Sequence, residues 1–193
     1  MKKKNHNFFI FLLLTIVIIL SGEDAFSLDD SDILLDRVFM TAVKKSNYNK
    51  VEEMLDQDVA INYKDSENLV ALAYALENDD KRMFKLLIDN GADPKVKILN
   101  KSSLLIFYVA KNRYLLIDDI IKSGVDIDSQ DKMGMTALMH SIEKINLNAV
   151  NVLVMKDFDR EKTDFAGKTI FDYSNLSRNT IIRKIIETLN PTN

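Results

Sequence analysis

The chain repeats itself every 33 residues, and this recurrence constrains its fold more than any other feature. Phe39, Leu72, Leu105, Leu138 and Phe171 share one apolar slot at that spacing. Three residues further on, Ala42, Ala75, Ser141 and Ser174 mark a small-residue slot, with Tyr108 as its large exception. Gly91 and Gly124, Gly134 and Gly167, and Thr136 and Thr169 keep the same distance. A fixed period of this length means a supersecondary unit copied along the chain, each copy unable to bury its apolar face alone. The units are 32–64, 65–97, 98–130, 131–163 and 164–193.

The fourth unit shows the local logic most clearly. Gly124 follows an apolar helical run and suits a left-handed helix end. Residues 131–134, with Asp131 and Gly134 at their ends, have turn chemistry. Thr136 stands where a helix needs a capping hydroxyl, and Leu138, Ser141 and Ile142 follow at helical spacing. The stretch 124–141 resembles the ankyrin repeat through Gly124, Asp126, Asp131, Gly134, Thr136, Leu138 and Ser141. Ala137 replaces the family's usual proline and Met139 its usual histidine. Asn90, Gly91, Ala92 and Asp93 form a second marker of the family. The resemblance implies an all-α ankyrin-repeat solenoid of five helix–turn–helix units with hairpin-like turns.

Helices are expected over 33–45 and 48–56, 70–76 and 81–89, 104–110 and 114–122, with 147–155 as the second helix of the fourth unit. Helices under about 12 residues are marginal alone, so the layers must stabilise one another. Tyr108 requires either a locally wider spacing or smaller neighbours. Lys101 stands in the turn-glycine slot, and Asp58 and Asp157 in the glycine slot after the second helix. A left-handed conformation without glycine costs about 1 kcal/mol there. Ile181, Ile182, Ile185 and Ile186 read as one residue early, which implies a deletion in the turn 175–179.

Three lysines precede an apolar run over 8–20. That run is short for a bilayer span of about 20 residues and suits a secretory leader. Ala25 and Ser27 offer small residues for cleavage, so 1–27 is read as a signal peptide and 28–193 as the exported ankyrin repeat domain, periplasmic or secreted. The alternative is an uncleaved segment anchored in the inner membrane, with the domain outside the cytoplasm. Setting 1–27 aside leaves a net charge of about −4, which excludes nucleic acid as an expected partner. There is no cysteine, hence no disulfide, thiolate metal site or cysteine nucleophile.

His140, the one histidine after the leader, reads as filler of a helix slot. The pairs Asp79/Asp80, Asp118/Asp119 and Asp128/Asp131 read as solvated, and the scattered glycines form no phosphate loop. No catalytic, cofactor or metal residue is expected, and the chain is not read as an enzyme. The resemblance places protein binding on the turn tips and the exposed side of the first helices. Those positions are Glu67, Leu69, Glu77, Asn78, Leu99, Asn100, Lys111, Lys132, Met133, Met135, Glu143, Lys144, Phe165 and Lys168. The implied function is a non-catalytic, monomeric protein–protein interaction module with a concave docking surface. A membrane-tethered structural or assembly factor is the alternative.

Overall fold

A computed structural model describes residues 30–57 and 59–190, with side chains from Leu34 onward. The expected leader over 1–27 and the glycine-slot residue Asp58 lie outside the described residues. Residues Leu34–Asn193 group into one compact unit. Its helices are α1 (Asp30–Lys44), α2 (Tyr48–Leu55), α3 (Ala71–Glu77), α4 (Lys81–Asp89), α5 (Leu104–Ala110), α6 (Ile117–Lys122), α7 (Ala137–Glu143), α8 (Leu147–Leu153), α9 (Ile170–Leu176) and α10 (Thr180–Glu187). A 3₁₀ turn covers Leu99–Lys101. The described residues contain no strand. None of their helices is long and apolar enough to cross a membrane.

The fold is a stack of five helix pairs. First helices pack on first helices (α3 on α5, α5 on α7, α7 on α9), and second on second (α6 on α8, α8 on α10). The 33-residue period reappears as burial. Met83, Leu116, Ala149 and Ile182 share one buried slot of the second helix, and Val51, Phe84, Ile117 and Val150 share the next. Lys50 takes the former slot in the first layer and an exposed Arg183 the latter in the fifth. One slot therefore faces the preceding layer and its neighbour the following one, and each turns charged where no described layer covers it. Asp172 and Asn175 likewise stand exposed in α9, where Met139 and Ile142 are buried in α7.

This register corrects the expected deletion in the last turn. Asn179 caps α10 just as Asn146 caps α8, 33 residues earlier. Ile182 and Ile186 take the slots of Ala149 and Leu153. Ile181, which made the pattern look early, points to solvent and is 55% exposed.

The turn between the helices of a layer is also periodic. Ser46, Asp79, Asn112 and Ile145 all take positive φ, and in every one of these layers but the third the following residue caps the second helix. Asn47, Asp80 and Asn146 each accept a backbone N–H of their helix. The third layer has Arg113 in the capping slot, and α6 starts at Ile117 rather than at the expected 114. Tyr108 supplies what Arg113 cannot. Its hydroxyl accepts the Leu116 N–H at 2.9 Å and donates to Asp79 at 2.6 Å. Arg113 also pairs with Asp79. Burial, then the hydrogen bond to Asp79, pushes the Tyr108 hydroxyl well above the ordinary phenol range. The ring fits because the equivalent slots of the adjacent layers hold Ala75 and Ser141. Asp157 does not adopt the left-handed conformation that Gly91 and Gly124 take, so the turn after α8 has a different shape, as its residue type required.

Tyr108→Phe leaves the Leu116 N–H without its acceptor and Asp79 without a donor. It is expected to lower unfolding stability by about 1–3 kcal/mol in urea denaturation. A change within 0.3 kcal/mol of zero, or roughly none, would remove this capping role.

Candidate protein-docking surface

The tips of the second, fourth and fifth layers are held from beneath by an aspartate. The Oδ1 of Asp65 accepts the N–H groups of Glu67 and Leu69, that of Asp131 those of Met133 and Met135, and that of Asp164 those of Ala166 and Lys168. The other oxygen pairs with the residue nine positions on: Tyr74 at 2.5 Å, His140 at 2.9 Å and Tyr173 at 2.7 Å. The aspartate's own N–H bonds back across the tip to the carbonyl of Leu69, Met135 or Lys168. Burial raises the pKa of all three carboxylates, but these donors outweigh it and hold each below the ordinary carboxylate value. In the third layer both partners are replaced together. Ile98 takes the aspartate slot and Phe107 the ring slot, and the tip becomes the 3₁₀ turn with Asn100 and Lys101 at positive φ.

His140 is thus more than slot filler. Its Nε2 donates to Asp131, while its Nδ1 is buried without a hydrogen-bond partner, 4.0 Å from Glu143 Oε2.

Successive tips are joined by backbone bonds. Lys132 N–H donates to Asn100 O and Phe165 N–H to Met133 O, each at 3.0 Å. The Phe165 ring covers Gly134, where an added Cβ would lie 2.5 Å from Phe165 N. Three large apolar side chains stand out of this row: Leu99 at 47% exposure, Met133 at 57% and Phe165 at 73%. Two expected members of the row do not. Leu69 and Met135 are buried, at 4% and 1% exposure. They close the tip by bonding both ways to the aspartate, which turns their side chains back into the stack.

An open groove of about 410 Å³ lies between the third and fourth layers. It gathers Leu99, Asn100, Lys111, Lys132, Met133, Glu143 and Lys144 from the expected positions, with buried Met135 behind them. Ser102, Ala110 and Asp131 also line it, as do Ile106, Phe107 and His140, which sequence reasoning missed as groove residues. The all-apolar α5 had implied full burial, although the joint loss of aspartate and ring partner in this unit is visible in the sequence. Glu67, Glu77, Asn78, Phe165 and Lys168 lie outside the groove lining. Glu77 pairs with Lys111 at 2.7 Å, and Asn78 donates to the Lys44 carbonyl. Lys168 sits 6.0 Å from the centroid of the Tyr173 ring. Glu67 is exposed at the second tip.

A stack of helix pairs with projecting tips defines a repeat solenoid that presents a surface rather than a pocket. Comparison with known proteins gives the same class. A family model described as ankyrin repeats (3 copies) matches residues 4–98. A protein of fowlpox virus (strain NVSL), named as an ankyrin repeat protein, is 30% identical over 120 residues, covering 61% of this chain and 28% of its own length. A second from the same virus is 25% identical over 167 residues, covering 86% and 23%. One from Rickettsia bellii (strain RML369-C) is 26% identical over 149 residues, 76% of each chain. The chain therefore spans about a quarter of the length of the two viral relatives. The family model and these relatives thus support ankyrin repeats in this chain. Ankyrin repeats are protein–protein interaction modules, and the family is typically non-catalytic.

Two predictions test this geometry. Gly134 and Gly167 both have φ of +80°, but only Gly134 is crowded by Phe165. Gly167→Ala is expected to cost about 1 kcal/mol, the left-handed penalty alone, and Gly134→Ala clearly more. Equal losses in thermal unfolding would show that the tips do not pack as described. The second concerns pH. The folded-state pKa values of Asp65, Asp131 and Asp164 are depressed, so their contribution is present above the unfolded carboxylate value and lost as pH falls through the folded one. The urea midpoint should therefore drop steeply below about pH 4, and Asp131→Asn should flatten that drop while lowering stability at pH 7.

Proposed function

We propose that this chain docks a protein partner on the row of tips and the groove beside it, without catalysis, as a monomeric module outside the cytoplasm. The observation that carries the reading is the exposure of Leu99, Met133 and Phe165 on three successive tips. Side chains so placed contribute little to the core, and a contiguous exposed apolar row marks an interaction surface. The tip backbones are pre-set by aspartate and inter-tip bonds, so docking loses little conformational freedom. The groove's titratable groups support a binding role: the Asp131 carboxylate is taken up by two N–H groups and His140. The lysine-led apolar segment before the domain supports export, and N-terminal sequencing of the exported chain distinguishes cleavage near Leu28 from retention of an anchor.

The test is a combined Leu99→Ser, Met133→Ser and Phe165→Ser variant. It is expected to keep the circular dichroism of the parent and to lose capture of partner proteins from the native envelope by about tenfold or more. Undiminished capture by a folded variant would refute docking at the tips.

A further inference from the structure

We infer that the segment this surface receives is acidic as well as apolar, an inference that rests on the docking reading above and names the chemistry of the partner. Three successive tips, although the third layer's has a different backbone, each carry one exposed large apolar side chain and one exposed lysine within three residues of it in sequence. Leu99 stands with Lys101, Met133 with Lys132, and Phe165 with Lys168. The bonds from Lys132 to Asn100 and from Phe165 to Met133 hold these tips in one row.

The lysines of the row are exposed, and Lys168 alone stands near a ring, 6.0 Å from the Tyr173 centroid. Among the described residues none of the three takes part in a salt bridge. The aspartates beneath are engaged mainly by the turn itself, with Lys168 a lesser influence on Asp164. Asp131 and Asp164 each accept two backbone N–H bonds and one side-chain bond from His140 or Tyr173, so their charge is matched from within the turn. On the groove wall Lys144 is matched by Glu143 at 3.9 Å, so the unpaired cations are those of the tips. This cationic, apolar row lies on a chain whose net charge is −3, so it is a local exception and not a reflection of composition.

The pattern also has an end. The second tip carries Glu67 and buries Leu69, so it offers neither the cation nor the apolar side chain. An acidic, apolar segment laid along tips three to five gains charge pairing at each step and meets a like charge if it runs on to tip two. A basic segment meets repulsion at all three tips, and such repulsion discriminates between partners more strongly than exposed pairing attracts.

The experiment uses the full-length chain and three fluorescein-labelled peptides of about 15 residues. The first is composed of Leu, Phe and Glu, the second has Lys for every Glu, and the third has Ala for every Leu and Phe. Fluorescence anisotropy at low salt is expected to show the Glu peptide binding about tenfold or more tighter than the Lys peptide, with the difference shrinking near ~0.5 M salt. The Ala peptide should bind weakest among the acidic ones. A Lys101→Glu, Lys132→Glu and Lys168→Glu variant should reverse the charge preference. Should that variant fail to fold, Lys132→Glu alone carries the same test at smaller amplitude. Equal or tighter binding of the Lys peptide, or no binding by any peptide, overturns the acidic partner and leaves the docking row standing. Binding of all peptides that is unchanged in a folded Met133→Ser and Phe165→Ser variant overturns the docking row itself.

Discussion

Nine of the ten described helices have six to nine residues, and α1 alone has fifteen. Helices of that length do not hold in water, because nucleation costs more than a turn or two of hydrogen bonds returns. Everything else in the structure depends on layers covering layers. The buried slots come in adjacent pairs for this reason, one side chain facing the preceding layer and the next facing the following one. Where no described layer covers a slot, it holds Lys50, Asp172, Asn175 or Arg183. Inside the stack the same slots hold Met83, Met139, Ile142 and Val150.

Mutual burial fixes the helices but not the segments that project from them. Those are held by the aspartate clamp, in which one carboxylate orders a tip through two N–H groups and reaches a ring on the first helix. The third layer lacks both halves, and its loss is tied to the groove. With Ile98 buried and Phe107 in the ring slot, no polar group draws that ring toward the tip. It remains as apolar wall beside the His140–Asp131 pair of the next layer, with the Lys111 ammonium 5.3 Å from its centroid. This groove thus falls where one clamp is missing and the next is intact.

Much of this was legible in the sequence, because burial repeats with the same period as residue type. Helix positions agreed within a few residues in most layers, and Thr136 accepts the N–H expected of a cap, as do Ser103 and Thr169 in the same slot of the adjacent layers. What failed had a common cause. Periodicity says which slot a residue occupies but not what covers it. Leu69 and Met135 looked exposed because they follow a turn, yet they share a slot that only the last layer, with Lys168, leaves open. Ile181 looked like core because it is isoleucine, yet it lies outside the register that Asn179 sets. The late start of α6 was hidden because its cause is a tyrosine on another helix acting as the cap.

The clamp also explains why the tips can carry unusual side chains. On the fourth and fifth tips the aspartate fixes the turn through backbone N–H groups, so the turn itself does not depend on the summit side chains. Solvent exposure then favours polar residues there, as at Ser66 and Glu67 on the second tip. A leucine, a methionine and a phenylalanine at the next three tips run against that preference while adding little burial. Phe165 alone has a local task, covering Gly134, and most of its surface remains in water. Exposed apolar area carries a cost in solubility, and burial within this chain returns little of it at Leu99, Met133 and Phe165.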